Sequence, residues 1–236
     1  YCMNFPLKYL LYFLVCCFAV GTIFGALLFL VKKIKPRAVE HGLRHSVLII
    51  GDKQYLSLAD RMQHYKVPAV SIAVIDKGDL AWAKGYGFIS SRDNSKTVDA
   101  NTLFQACSLS KPITAVGALL LVQQGKLSLD ENVNTYLKSW KVPDNEFTQK
   151  EKVTLRRLLS HTAGTSVHGF PGYLSCSQLP TLVDILDGRK PLVCTDPVRV
   201  IKIPGTEPDY SGGGTTIVQL LIEDITGEKF DKWMEK

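Results

Sequence analysis

The sequence predicts an α+β fold, with an antiparallel sheet first, helices after it, and a membrane-spanning helix ahead of both. Three observations predict it. Ala69-Val-Ser-Ile-Ala-Val-Ile75 and Leu80-Ala-Trp-Ala-Lys-Gly-Tyr86 are β-rich runs flanking Asp76-Lys-Gly-Asp79. From Leu109 onward the apolar residues fall at helical spacing between capping residues. Tyr9 to Val31 is a run of 23 residues without a charge.

That first run, rich in Leu, Phe, Val and Ala, would extend roughly 34 Å as a helix, enough to cross a bilayer. A cleaved signal peptide has a shorter apolar core, of about 7–15 residues, and a small-residue cleavage site after it. Here the run leads into Val31-Lys-Lys-Ile-Lys-Pro-Arg37, so an uncleaved anchor over about residues 9–31 is expected. Residues 32–50 read as a basic juxtamembrane linker, and 51–236 as the globular domain.

Within that domain, Leu58, Met62 and Tyr65 have helical spacing in a segment that ends before Val67-Pro68. The two β-rich runs around their Gly/Asp turn make a hairpin, and a second turn follows at Ser90–Ser95. From Leu109 to Gln124 the residues Ile113, Val116, Leu119 and Leu120 keep helical spacing, and Gly125 stands where a C-terminal cap would. Pro112 is tolerated only near a helix start, which places Ser108 at the N-terminal edge. Asp130 is an N-cap for a short helix through Leu137, and Thr154 for one over Leu155–Ser160. A loop follows with Gly164, Gly169, Pro171 and Gly172, then a short helix within 178–187. Tyr210-Ser-Gly-Gly-Gly214 precedes an amphipathic helix carrying Ile217, Leu220, Leu221 and Ile225, ended by Gly227, after which another helix begins.

The formal charge of +6 does not indicate nucleic-acid binding. Residues 1–45 hold Lys8, Lys32, Lys33, Lys35, Arg37 and Arg44 against Glu40, a net of +5, leaving +1 for the rest. The basicity flanks the apolar run and forms no patch for a polyanion. No CxxC pair and no Cys/His spacing suggests a metal site. Cys176 and Cys194 could pair across a loop-rich stretch, but sequence does not show them close enough.

The chemistry-bearing residues are Ser108, Lys111 and Tyr210. A serine and a lysine three positions apart stack on one helix face. That geometry can place an amine within reach of a hydroxyl, which a serine nucleophile needs to lose its proton. The apolar helix and the positive end of its dipole both disfavour an ammonium, which allows a basic amine. An N-cap serine beside a solvent-facing lysine is the plainer reading of the same pair. Tyr210 could relay a proton if neighbouring positive charge lowers its pKa, or simply pack at a helix start. Gly212 and Gly213 permit close approach of a substrate to backbone. His161, in Leu158-Leu-Ser-His-Thr-Ala-Gly164, reads as a hydrogen-bonded structural residue, and His168 as a cleft-lining one. No Gly-x-Ser-x-Gly elbow is present.

In this order the segments resemble the serine β-lactamase and penicillin-binding-protein superfamily, in particular its class C β-lactamase-like branch with D-alanyl-D-alanine carboxypeptidases and related esterases. The resemblance runs from about Leu56 to the end. It includes the strand pair, Ser108-Leu-Ser-Lys111, Gly125-Lys-Leu-Ser-Leu-Asp-Glu-Asn-Val133, Leu158-Leu-Ser-His-Thr-Ala-Gly164 and Pro204-Gly-Thr-Glu-Pro-Asp-Tyr-Ser-Gly212. It implies a β-lactamase/transpeptidase-like domain: an antiparallel sheet flanked by helices plus a mostly helical subdomain, with Ser108 and Tyr210 meeting in the cleft between them. It implies Ser108 as the acylated nucleophile, Lys111 as general base or relay, and Tyr210 as the partner that passes protons to and from the leaving group. The family's tyrosine motif usually reads Tyr-x-Asn, whereas Gly212 stands third here. The family's Lys-Thr-Gly or His-x-Gly motif does not occur, and it and the final strands are expected beyond Lys236.

The expected activity is acyl transfer through a Ser108 acyl-enzyme on a β-lactam, a D-Ala peptide or an ester, with no metal or organic cofactor. The expected partner is a small-molecule or peptidoglycan-type peptide substrate. A penicillin-sensing module acylated without turnover and a catalytically silent membrane scaffold are the alternatives. The resemblance places the domain outside the cytoplasmic membrane, whereas the Lys32–Arg37 cluster would by charge bias lie inside.

Overall fold

The computed structural model describes residues 35–45, 47, 51, 54–90, 93–173 and 178–236. The expected anchor at 9–31, most of the linker, and Cys176 lie outside the described residues. Among the described residues no helix is long and apolar enough to cross a membrane. The chain divides into two compact units with the boundary between Phe104 and Gln105.

The first unit is a three-stranded antiparallel sheet in the order β1-β2-β3, comprising β1 (Ala69–Asp76), β2 (Asp79–Ser90) and β3 (Asp93–Thr97). Two short helices precede it, α1 (Pro36–Glu40) and α2 (Leu58–His64). Helix α2 starts where Ser57 caps it, the hydroxyl accepting the Asp60 N–H at 3.0 Å. Strands β1 and β2 pair from Ala69↔Gly87 to Asp76↔Asp79, as the sequence predicts. The connecting residues Lys77 and Gly78 have φ of +55° and +90°, the two left-handed conformations that a type I′ turn requires. A register shift between Val74 and Ile75 is a β-bulge that bends the ribbon. The second turn falls partly on residues 91–92, outside the described set. Lys84 and Tyr86 of β2 both donate to the Glu40 carboxylate, at 2.5 and 3.1 Å, tying α1 to the sheet.

The second unit is helical. A 3₁₀ turn (Cys107–Leu109) runs directly into α3 (Ser110–Gln123), followed by α4 (Leu155–Leu159), α5 (Leu182–Asp187), α6 (Gly212–Thr226) and α7 (Phe230–Met234). Helix α6 is the hub, contacting α3, α4, α5 and α7. Its buried Ile217, Val218, Leu220, Leu221 and Ile222 meet Ala118 and Leu121 of α3, Leu155 and Leu158 of α4, and Leu186 of α5 in one core. Gly117 lets α3 approach α7, because a Cβ there would lie 2.5 Å from the Met234 sulfur. Leu221 is fully buried, so Leu221→Ala is expected to lower stability by about 2–5 kcal/mol in chemical denaturation, by lost transfer energy plus a cavity.

Capping decides the helix boundaries. Thr154 caps α4 through the Arg157 N–H, as predicted. Helix α5 starts later than the 178–187 window, at Leu182, because Thr181 and Asp184 form a reciprocal capping box. The helix expected from Asp130 to Leu137 is replaced by a 3₁₀ turn at Val133–Thr135 capped by Asn132. Arg156 takes both oxygens of the Asp130 carboxylate, at 2.7 and 2.8 Å, so that carboxylate caps no helix, and Asn132 accepts the Asn134 N–H.

Candidate active site

Ser108 lies in the 3₁₀ turn that opens α3, and Lys111 lies in the first turn of the helix. Cys107, just before the serine, has a left-handed backbone (φ +47°), a costly conformation for a residue with a Cβ. The bend carries Ser108 to the surface, and Lys111 folds back over it, its Nζ donating to Ser108 Oγ at 3.3 Å. Tyr210 comes from 102 residues away and donates its phenol proton to the same oxygen at 2.7 Å. The Lys111 ammonium lies 4.8 Å from the centre of the Tyr210 ring. All three predicted residues thus meet at one atom, and they do so within the second unit.

The electrostatics follow from this packing. Lys111, and after it the hydrogen bond to Ser108, hold the Tyr210 phenol below its ordinary pKa. Burial, and after it the Lys111 charge, hold the His161 imidazole below its ordinary value. Two imidazoles flank the phenol, with ring centres at 4.5 Å for His161 and 4.9 Å for His168.

The loop 161–168 sets the position of Tyr210. The Asp209 N–H donates to the His161 carbonyl at 2.7 Å, and Ser211 Oγ donates to the Ser166 carbonyl at 2.7 Å. Ser211 also caps α6, accepting the Gly214 N–H at 2.9 Å. Upstream, Lys202 bridges Glu207 and Asp209 at 2.9 and 2.7 Å, which stiffens the approach to the tyrosine.

The glycines expected to admit substrate also serve the fold. Gly212 and Gly213 donate their N–H groups to the His168 and Val167 carbonyls, each at 3.0 Å, so neither amide is offered to a ligand. Both are buried, and a Cβ at 213 would lie 2.7 Å from the Ser166 carbonyl oxygen. A Cβ at 212 would lie 3.1 Å from the His168 oxygen, a tight contact at the position where an asparagine stands in the usual motif. Only Gly212 reaches the cleft wall.

Ser108, Lys111 and Tyr210 line a cleft of about 670 Å³, whose walls include Gln105, His168, Phe170, Gln219 and Phe230. A volume of this size suits a small-molecule site. His168 lines it as its glycine-rich loop suggests. His161 was legible as a hydrogen-bonded residue at a helix end, but its place against the phenol was not, because that contact joins segments about fifty positions apart.

A family model described as Beta-lactamase matches residues 57–236. The curated relatives include Protein flp of Staphylococcus aureus, 26% identical over 73% of this chain and 33% of its own length. They also include Unguisins hydrolase ungD of Aspergillus violaceofuscus, 28% identical over 72% of this chain and 29% of its own. The chain therefore spans about a third of the length of the curated relatives it matches. Among solved structures it is similar to the octameric penicillin-binding protein homologue from Pyrococcus abyssi, with a TM-score of 0.60, 24% identity, and coverage of 75% of this chain and 40% of that one. With a model match over most of its length and the fold to go with it, the chain belongs to the beta-lactamase family.

Proposed function

We propose that the protein is a serine hydrolase that transfers acyl groups through Ser108. One observation carries the reading: Ser108 Oγ receives both Lys111 Nζ at 3.3 Å and Tyr210 OH at 2.7 Å, on the wall of an open cleft. A serine hydroxyl is a weak nucleophile until a neighbour removes its proton. As Oγ bonds to the substrate carbonyl carbon, its proton passes to the Tyr210 oxygen in its phenolate form, which Lys111 favours by lowering the phenol pKa. The Lys111–Tyr210 pair returns a proton to the leaving nitrogen or oxygen as the old acyl bond breaks. Water then cleaves the acyl-enzyme, with the pair taking its proton in turn. The backbone N–H of Ser108, at the open start of the helical turn, is the natural donor to the developing oxyanion.

The substrate is an ester, a D-Ala peptide or a β-lactam. Gly212 supports the first two, since the side-chain amide usual at that place is absent. The Aspergillus relative is named a hydrolase, which supports turnover over permanent acylation. The uncharged run 9–31 supports a single membrane anchor, with the domain outside the cytoplasm as in the class it resembles.

The test is exposure of the full-length protein to a fluorescent penicillin, a chromogenic cephalosporin and a short-chain nitrophenyl ester. Release of product with transient labelling at Ser108 is expected. Stable labelling without product would make the protein a binding module, and no adduct with any of the three would overturn the proposal.

A further inference from the structure

One residue grips Tyr210 from both sides. His161 follows α4 in a left-handed backbone conformation (φ +56°). That turn aims its carbonyl at the Asp209 N–H (2.7 Å) while its ring Nδ1 accepts the Ser211 N–H (3.3 Å). Those two amides bracket Tyr210. The imidazole then lies against the phenol ring at 4.5 Å, tilted by 36°. Main-chain position and ring orientation of the tyrosine thus both depend on His161, and the 2.7 Å reach to Ser108 depends on them.

We propose that His161 is a positioning residue for acyl transfer, holding Tyr210 in register on Ser108 only while its imidazole is neutral. The inference rests on the reading above that Tyr210 moves protons at Ser108.

A neutral imidazole has one acceptor nitrogen, and the Ser211 bond requires it to be Nδ1, with the proton on Nε2. Protonation turns Nδ1 into a donor facing another donor, and the bond is lost. It also adds a positive charge to a positive neighbourhood. Lys111 faces this region from α3, and His168 lies on the phenol from the glycine-rich loop. The carboxylates in the segment before Tyr210, Glu207 and Asp209, are already held by Lys202. Burial and Lys111 resist the proton in the folded state. The unfolded imidazole takes it below about pH 6.5, so folding stability falls as pH drops below that value.

The experiment compares wild type, His161→Asn and His161→Phe in the full-length protein, measuring kcat and KM for ester hydrolysis and thermal melting from about pH 5 to 9. Asparagine puts an acceptor oxygen near the position of Nδ1, tolerates the left-handed backbone and does not titrate. We expect the Asn variant to stay within about threefold of wild type at pH 7.5 and to lose the acid-side fall in kcat. Phenylalanine keeps a ring but no acceptor, and its kcat should drop about tenfold or more at nearly unchanged KM. An unchanged acid limb in the Asn variant, or wild-type kcat in the Phe variant, would overturn the inference. If the Phe variant fails to fold, the pH profile of the Asn variant decides alone. Labelling that persists in Ser108→Ala would instead remove the underlying acyl-transfer reading.

Discussion

A Ser108→Ala protein is expected to form no covalent adduct with any acylating probe, and its turnover to fall by about 10⁶-fold, the scale of loss when a serine hydrolase loses its nucleophile. The hydroxyl is the common point of the site: both Lys111 and Tyr210 aim their donors at this oxygen. Truncation to a methyl group leaves both donors in place with nothing to activate. Ser108 is exposed and not part of the core cluster, so the melting temperature should barely move. Intact-mass spectrometry after incubation with a penicillin checks the first part, and calorimetry the second. An adduct on the alanine variant would show that another residue, such as the adjacent exposed Cys107, is the one acylated.

Lys111→Ala should slow acylation by about 100- to 10,000-fold, the usual range for removing a proton-transfer partner. A second consequence distinguishes this residue from a mere packing element. Lys111 is the largest cause of the lowered Tyr210 pKa, so its removal lets the phenol titrate at higher pH. Ultraviolet titration of tyrosine, compared between Lys111→Ala and Lys111→Ala/Tyr210→Phe, isolates that shift. Arginine at 111 should not rescue the rate, because a guanidinium keeps its charge and cannot exchange protons near neutrality. Normal acylation by Lys111→Ala at neutral pH would show that the amine takes no part in the proton transfer.

How much of this was legible beforehand divides by the range of the interaction. Ser108 and Lys111 are joined by helix geometry alone, so three positions of spacing sufficed. The β1–β2 hairpin was legible because Lys77-Gly78 supplies the two left-handed residues on the spot. Thr154 acts on the residues just after it and Gly227 on those just before it, and the helix ends they predict are where the chain places them. Long-range partners defeated the same reasoning at Asp130, whose carboxylate goes to Arg156 instead of to a helix start. The face of α3 was illegible for another reason. Apolar residues surround that helix, so spacing could not reveal that Ala118 and Leu121 go inward while Leu109, Ile113 and Val116 remain uncovered. Tyr210 stood out by its place before the glycines at a helix start, but packing there was an equally local reading, and its proton-passing role came from the resemblance. Nothing local joins it to Ser108, and the backbone carbonyls that claim Gly212 and Gly213 belong to a loop some forty-five positions earlier.

The 102 positions that separate the phenol from the serine tie the proposed chemistry to folding. Closing a segment of that length costs about 4 kcal/mol of chain entropy, which only a completed core offsets. A half-made or thermally loosened chain therefore carries an ordinary alcohol at position 108, inert toward the esters and amides around it. Under the proposed function, Ser108 is activated only once folding brings Tyr210 to it, so acylation would report a correctly folded unit.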